Sequence, residues 1–169
     1  MEILNVEIKA KCENSKLIKS ILKEKNALFK GKDHQIDTYF NSGDGRLKLR
    51  QGNIENSLIF YKRDNMAGPK DSFVRLARLE ETEDLLEVLT ASNGVKVVVD
   101  KVREIYFIGN VKFHIDNVKG LGSFVEIEAI DKTGDIGRDR LLEQCEEYLS
   151  LFKITNQDLL SHSYSDMLL

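Results

Sequence analysis

Carboxylates and cations recur in this chain at a spacing of two. In "GLGSFVEIEA", Gly120–Ala129, Glu126 and Glu128 flank Ile127. Successive strand residues alternate faces, so the two carboxylates project together, roughly 6.6 Å apart for a rise of about 3.3 Å per residue. The same spacing aligns Glu7, Lys9 and Lys11 in "VEIKAK", and Arg46, Lys48 and Arg50 in "RLKLR". It also aligns Lys101 with Arg103 in "DKVRE", and Lys112, His114 and Asp116 in "VKFHID", while Lys62 closes "LIFYK". The opposite faces carry Val6, Ile8, Ala10, Leu47, Leu49, Val111, Phe113 and Ile115.

Any one such strand is ordinarily the wet side of a half-buried sheet. Taken together they favour a different reading, with a β-domain of merely solvated faces kept as the alternative. Like charges side by side are mildly unfavourable, yet one strand aligns three cations and another two carboxylates. Each face invites an opposite charge that its own strand does not supply. A polyphosphate accompanied by a divalent cation satisfies both: Arg offers a bidentate fork and Lys a point charge to phosphate oxygens. Carboxylates suit Mg²⁺ or Mn²⁺, hard ions that also take water and substrate phosphates. Arg63, Arg75 and Arg78 lack such ordered company and are expected on the solvated surface.

The elements that must position these groups are mainly strands. Alternation predicts them near Ile3–Lys11, Gln35–Phe40, Arg46–Gln51, Ser57–Arg63, Ser72–Leu79, Val95–Arg103, Ile105–Ile108, Val111–Asp116 and Phe124–Ile130. Turns fall at "NSGDG", "NMAGPKD", the hairpin signal "GN" (Gly109, Asn110) and "KGLG". Three helices interrupt the pattern. One follows Asn14 and Ser15 with Leu17, Ile18, Ile21 and Leu22 at helical spacing; a second runs from Glu83 to a Gly94 stop. The third, Arg138–Phe152, places Leu141, Leu142, Cys145, Tyr148, Leu149 and Phe152 on one stripe, read as core packing. The last residues, "NQDLLSHSYSDMLL", are read as a tail. The fold class is α+β and mainly antiparallel: a closed eight- or nine-stranded barrel with flanking helices, because closure removes exposed edges. Helices would cover apolar outward residues, leaving polar ones inside.

The 169 residues fit one domain, 1–169. With 41% hydrophobic and 31% charged residues, and no apolar run of membrane-spanning length, the composition is that of a globular protein without a membrane partner. A net charge of −3 argues against a nucleic-acid surface. "MEILNVEIKAKC" has no signal-peptide pattern, so the cytoplasm is the expected location. Cys12 and Cys145 lack metal-ligand spacing and are read as small buried apolar groups.

In combination the motifs resemble the CYTH superfamily, the triphosphate tunnel metalloenzymes that include class IV adenylate cyclases, thiamine triphosphatases and inorganic triphosphatases. "NVEIKAK" is similar to the N-terminal E-x-E-x-K signature. The likeness extends through "DTYF", "RLKLR", "GPK", "DKVREIYFIGNVKFHIDNVKGLGSFVEIEA" and "SYSDMLL", and is strongest to the cyclase branch. The resemblance implies a β-tunnel that binds a triphosphate through Lys9, Lys48, Arg50, Lys62, Lys101 and Arg103. Lys11 and Arg46 share inward faces with a weaker match, and Lys112 and His114 are further substrate-binding candidates. It implies Mg²⁺ or Mn²⁺ at Glu7, Asp116, Glu126 and Glu128, with Glu7, Lys9, Glu126 and Glu128 as the catalytic set. One departure is Asn5, which stands where the signature's first carboxylate is usual. Reduced metal affinity or altered preference is expected rather than loss of the site.

The expected activity is hydrolysis of the terminal phosphate of a small-molecule triphosphate. The alternatives are conversion of ATP to cyclic AMP and pyrophosphate, or binding of polyphosphate or nucleotide without turnover. A homodimer is left open. His34 and His162 read as loop or terminal residues; Asp37, Tyr39 and Tyr164 match family positions without a role that spacing supplies.

Overall fold

The computed structural model describes residues 2–63 and 65–169. Eight strands form it: β1 (Glu2–Lys11), β2 (Leu28–Phe40), β3 (Arg46–Gln51), β4 (Ser57–Lys62), β5 (Lys70–Arg78), β6 (Val95–Ile108), β7 (Val111–Val118) and β8 (Gly122–Asp131). They close into a barrel in the order β1-β5-β4-β3-β2-β6-β7-β8, every pair antiparallel. The architecture matches the mainly antiparallel α+β barrel read from the sequence. Closure leaves no unpaired edge.

Several strand ends shift by one or two residues from the alternation pattern, and two differences are larger. The segments 95–103 and 105–108 form one strand, β6, in which Glu104 simply takes an outward turn of the alternation opposite Ile115 and Lys32. β2 begins at Leu28 rather than Gln35, because its first residues pair with the end of β6 while Leu28 and Phe29 stay exposed. No burial period marks that stretch. A register shift at Gly31 irregularises the ladder there.

The larger apolar cluster lies outside the barrel, and a smaller one around Tyr39, Ile59, Tyr61 and Tyr164 reaches the cavity lining. Outward Val6, Ile8 and Ala10 of β1, Val111, Phe113 and Ile115 of β7, and Val125, Ile127 and Ala129 of β8 form one cluster. Helix α1 (Ser15–Glu24) covers it with Ile18 and Leu22, and α3 (Arg138–Leu151) with Leu141 and Cys145. Asn14 caps α1, its side chain accepting from the Leu17 amide. Phe113 packs edge-on against Tyr148 at 4.7 Å. Burying a side chain such as Phe113 contributes about 1.5–3 kcal/mol. Cys12 and Cys145 are buried free thiols. Helix α2 (Glu83–Asn93) buries no residue and ends at Gly94. No described helix is long and apolar enough to cross a membrane.

With the greasy layer outside, the inward positions are free to be polar. Gly120 and Gly122 carry positive φ in the turn that returns β7 into β8, a conformation that suits glycine. The expected tail is instead ordered: a 3-10 turn (Asn156–Asp158) leads to α4 (Tyr164–Leu168), whose first turn is fixed by a reciprocal Ser163–Asp166 cap. The capping pair was present in "SYSD" as a sequence signal.

Candidate active site

A cavity of about 450 Å³ runs through the barrel. Its lining sorts into two walls. On β2, β3 and β6 the inward residues are cations backed by buried aspartate. Asp37 is fully buried and accepts Arg50 Nε and Nη2, each at 2.8 Å, Lys101 Nζ at 2.9 Å and Lys48 Nζ at 3.2 Å. Register makes this inevitable, since Asp37 sits opposite Arg50 and one inward position from Gln35, which faces Lys101. Burial alone would raise the Asp37 carboxyl pKa, but the Arg50, Lys101 and Lys48 charges outweigh it and hold it well below the ordinary carboxylate range. Lys101 is pushed well below its usual value, by burial first and then by Arg103. Three cations on one aspartate leave a positive surplus facing the cavity.

Arg103 repeats the device. Its Nε and Nη2 each donate to Asp116 at 2.7 Å, and Tyr164 of α4 donates to the same carboxylate at 2.8 Å. Asp116 is therefore committed to Arg103 and Tyr164. It stands behind the cation, and it does not line the cavity.

The opposite wall, β1 and β8, carries Asn5, Glu7 and Lys9 facing Ile130, Glu128 and Glu126. Glu7 and Glu128 are direct cross-strand partners, an arrangement that is destabilising without a cation between them. Cations from the cavity answer it here. Arg63 pairs with Glu7. Glu126 meets Arg103 Nη2 at 3.1 Å and Lys9 at 3.6 Å. Burial raises the Glu126 carboxyl pKa, yet the Lys9 and Arg103 charges draw it well below its usual value. Asn5 donates to Glu128 at 2.6 Å, while its own Oδ1 is buried with no donor. His114 is also buried; its Nδ1 lies 3.8 Å from Glu126, too far for a hydrogen bond, and neither ring nitrogen has a partner. Burial and the Arg103 and Lys112 charges lower its pKa to about 4, so the imidazole is neutral near pH 7.

Among the described residues no three His, Cys, Asp or Glu side chains converge as an ion site. The donor set nevertheless fits a hard divalent cation. Glu7, Glu126 and Glu128 occupy adjacent inward positions, and the orphaned Asn5 oxygen beside them is a neutral oxygen ligand awaiting a positive partner. Arg63 occupies Glu7, and Lys9 and Arg103 occupy Glu126.

The structure thus gathers Glu7, Lys9, Lys48, Arg50, Lys101, Arg103, Lys112, His114, Glu126 and Glu128 on one cavity. Four candidates lie elsewhere. Lys11 is exposed at the end of β1. Lys62 points outward and pairs with exposed Asp44 at 2.7 Å. Arg46 sits beyond the cavity, bound to Asp166 of α4 at 2.6 Å, and Asp116 lies behind Arg103. The expectation that Arg63 is solvated surface does not hold: it reaches inward from the end of β4, with a side chain 9% exposed. Its signal was available in phase, because Ile59 and Tyr61 face inward Lys48 and Arg46 across the ladder, and the next odd position is Arg63. Arg75 and Arg78 are exposed, Arg78 at the cavity rim. Glu55 was missed entirely. It enters from the β3–β4 loop, where no alternation guides a reading, and bonds Lys112 at 2.5 Å.

A family model described as CYTH domain matches residues 4–164. A relative from Methanocaldococcus jannaschii, "Putative adenylate cyclase MJ0240", is 29% identical over 98% of both chains. The solved PH1012 protein of Pyrococcus horikoshii superposes with a TM-score of 0.79 at 22% identity over 98% of each chain. The Hippeastrum protein HpAC1, described as a putative adenylyl cyclase with a dominant triphosphatase activity, superposes with a TM-score of 0.63 at 12% identity over 98% of this chain and 93% of that one.

Proposed function

The chain belongs to the CYTH domain family, and on that premise we propose that its barrel is a divalent-metal-dependent triphosphatase. The single observation that carries this reading is the pairing of a cation wall anchored by Asp37 and Asp116 with a carboxylate wall of Glu7, Glu126 and Glu128 across one cavity. Phosphoryl transfer needs positioning and charge neutralisation more than covalent help. Lys48, Arg50, Lys101 and Arg103, preoriented by the aspartates, clamp the phosphate chain. Lys9 and Arg63 leave Glu126 and Glu7 to join that clamp, freeing the carboxylates. Glu7, Glu126 and Glu128, with Asn5 Oδ1 as a neutral ligand, would hold Mg²⁺ or Mn²⁺, which would supply further neutralisation of phosphate oxygens. A water oriented by the acidic wall attacks the terminal phosphorus: the new P–O bond forms as the bridging P–O bond breaks, and the water's proton passes to a carboxylate. The leaving diphosphate end is stabilised by the cations.

A second reading is favoured by a different observation. Ile3, Val74, Leu76 and Ile130 line part of the same cavity, an apolar surface that a nucleobase would cover. In that case the ribose 3′-hydroxyl attacks the α-phosphorus and pyrophosphate leaves, as the name of the M. jannaschii relative suggests. Incubation with inorganic triphosphate, thiamine triphosphate and ATP in Mg²⁺ or Mn²⁺, with products resolved, separates the two. Orthophosphate release that disappears in Glu126→Gln supports hydrolysis. Cyclic AMP with pyrophosphate overturns it in favour of cyclisation, and tight binding without turnover leaves a binding module.

A further inference from the structure

Glu55 is the one described acidic side chain in the cavity lining that does not come from β1 or β8. Its position is built, not incidental. Asp33, fully buried, accepts the backbone N–H groups of Asn53, Ile54 and Glu55 at 2.6–3.0 Å and the Gln35 amide at 2.8 Å. Asn56 closes the loop by accepting from Gly52 at 3.0 Å, and a Cβ on Gly52 would meet the Asp33 oxygens at 2.7 Å, so only glycine fits there. This frame aims Glu55 at the cation wall, where it takes Lys112 at 2.5 Å, Arg50 Nη1 at 3.4 Å and Gln35 Nε2 at 3.0 Å. Although burial raises its carboxyl pKa, Lys112 and Arg50 bring it well below the usual range, so the group is anionic at neutral pH. It does not anchor a cation from behind, as Asp37 does. It sits in front, on the donors an incoming phosphate would use.

Resting on the triphosphate reading, we infer that Glu55 is a built-in competing anion: its carboxylate occupies Lys112 and the free edge of Arg50 until a polyphosphate displaces it. The loop backbone stays pinned by Asp33 while the side chain swings away. An anion must therefore bring several charges to enter, which discriminates against orthophosphate and in favour of longer phosphate chains.

The test is calorimetric titration of the intact protein with tripolyphosphate, and separately with orthophosphate, in the presence of a chelator so that the acidic wall stays metal-free. Removing one carboxylate a few Å from a bound phosphate is expected to tighten tripolyphosphate binding in Glu55→Gln by roughly tenfold. The relative gain for orthophosphate is expected to be larger. Lys112→Met is expected to weaken binding. A residue that merely braces the loop would give equal or weaker binding in Glu55→Gln, and that result overturns the inference. Should that variant not fold, crystals of the wild-type protein with tripolyphosphate decide: Glu55 parted from Lys112 supports displacement, and Glu55 still on Lys112 overturns it. If neither wild type nor Glu55→Gln binds tripolyphosphate, the triphosphate reading fails with it, whereas equal binding by both sinks the competing anion alone.

Discussion

The two walls of the barrel solve the same electrostatic problem in opposite ways. On β2, β3 and β6 the charges that face the cavity are cations, and their counter-charges, Asp37 and Asp116, are buried behind them. On β1 and β8 the facing charges are mainly carboxylates, and their counter-charges stand in front with them: Lys9 on β1 itself and Arg63 from the end of β4. The first wall is preorganised, because its pairs with Asp37 and Asp116 need not break when an anion arrives. The second must exchange partners. A site that binds an anion first and a cation beside it gains from this asymmetry: rigid donors fix the phosphates, and the liberated carboxylates then become available to metal.

The contrast predicts that stability resides in one wall and turnover in the other. The largest effect is expected for Asp37→Ala, which leaves Arg50, Lys101 and Lys48 without their common partner; breaking such a buried cluster costs about 3–5 kcal/mol, measured by denaturant unfolding. The pH dependence has the same origin. The Asp37 carboxyl pKa is depressed on folding, so the unfolded chain binds the extra proton, and stability is fully present above the ordinary carboxylate range and lost progressively as pH falls from that range through the depressed folded value. Asp37→Asn should flatten the acid limb of a plot of unfolding midpoint against pH; an unchanged limb would place the burden elsewhere.

On the other wall, Glu126→Gln is expected to lower turnover roughly 10²- to 10³-fold while shifting the unfolding midpoint less than Asp37→Ala does. Comparable loss of stability in both variants would erase the distinction between the walls. A smaller effect sharpens it: Asn5→Asp restores a charged oxygen beside Glu128, and Mn²⁺ should bind roughly tenfold more tightly by titration, since ligand charge sets affinity for hard cations. The smallest effects belong to Lys11→Ala and Lys62→Ala. Both side chains lie outside the cavity, and exposed pairs such as Lys62–Asp44 contribute about 0–1 kcal/mol, so substrate affinity and stability should barely move.

Most of the barrel could be read from alternation, because a half-buried strand repeats every two residues and most strands here do so over part of their length. What escaped reading lacked that period. The start of β2 carries exposed Leu28 and Phe29, so nothing in its pattern announced burial. Lys62, taken from the family likeness, faces out and Arg63 faces in, an orientation fixed by the pairing of β4 with β3. Asp37 fell on a legible strand, but its role as the shared anchor arises only when β3 and β6 flank β2. Asp116 was named a ligand from the family likeness; across the ladder Arg103 holds it bidentately, a pairing that spacing along one strand does not reveal. Glu55 and Tyr164 come from a loop and from the C-terminal helix, where spacing says nothing about direction.

The central claim is that phosphate and metal are taken by different walls. Diffraction from crystals soaked with Mn²⁺ and tripolyphosphate, using the anomalous signal of manganese, tests it directly. The account predicts manganese against Glu126 and Glu128, with the phosphate chain on Lys48, Arg50, Lys101 and Arg103 and Arg63 withdrawn from Glu7. Manganese lodged against Asp37 or Asp116, or a phosphate chain bound outside the barrel, would contradict it.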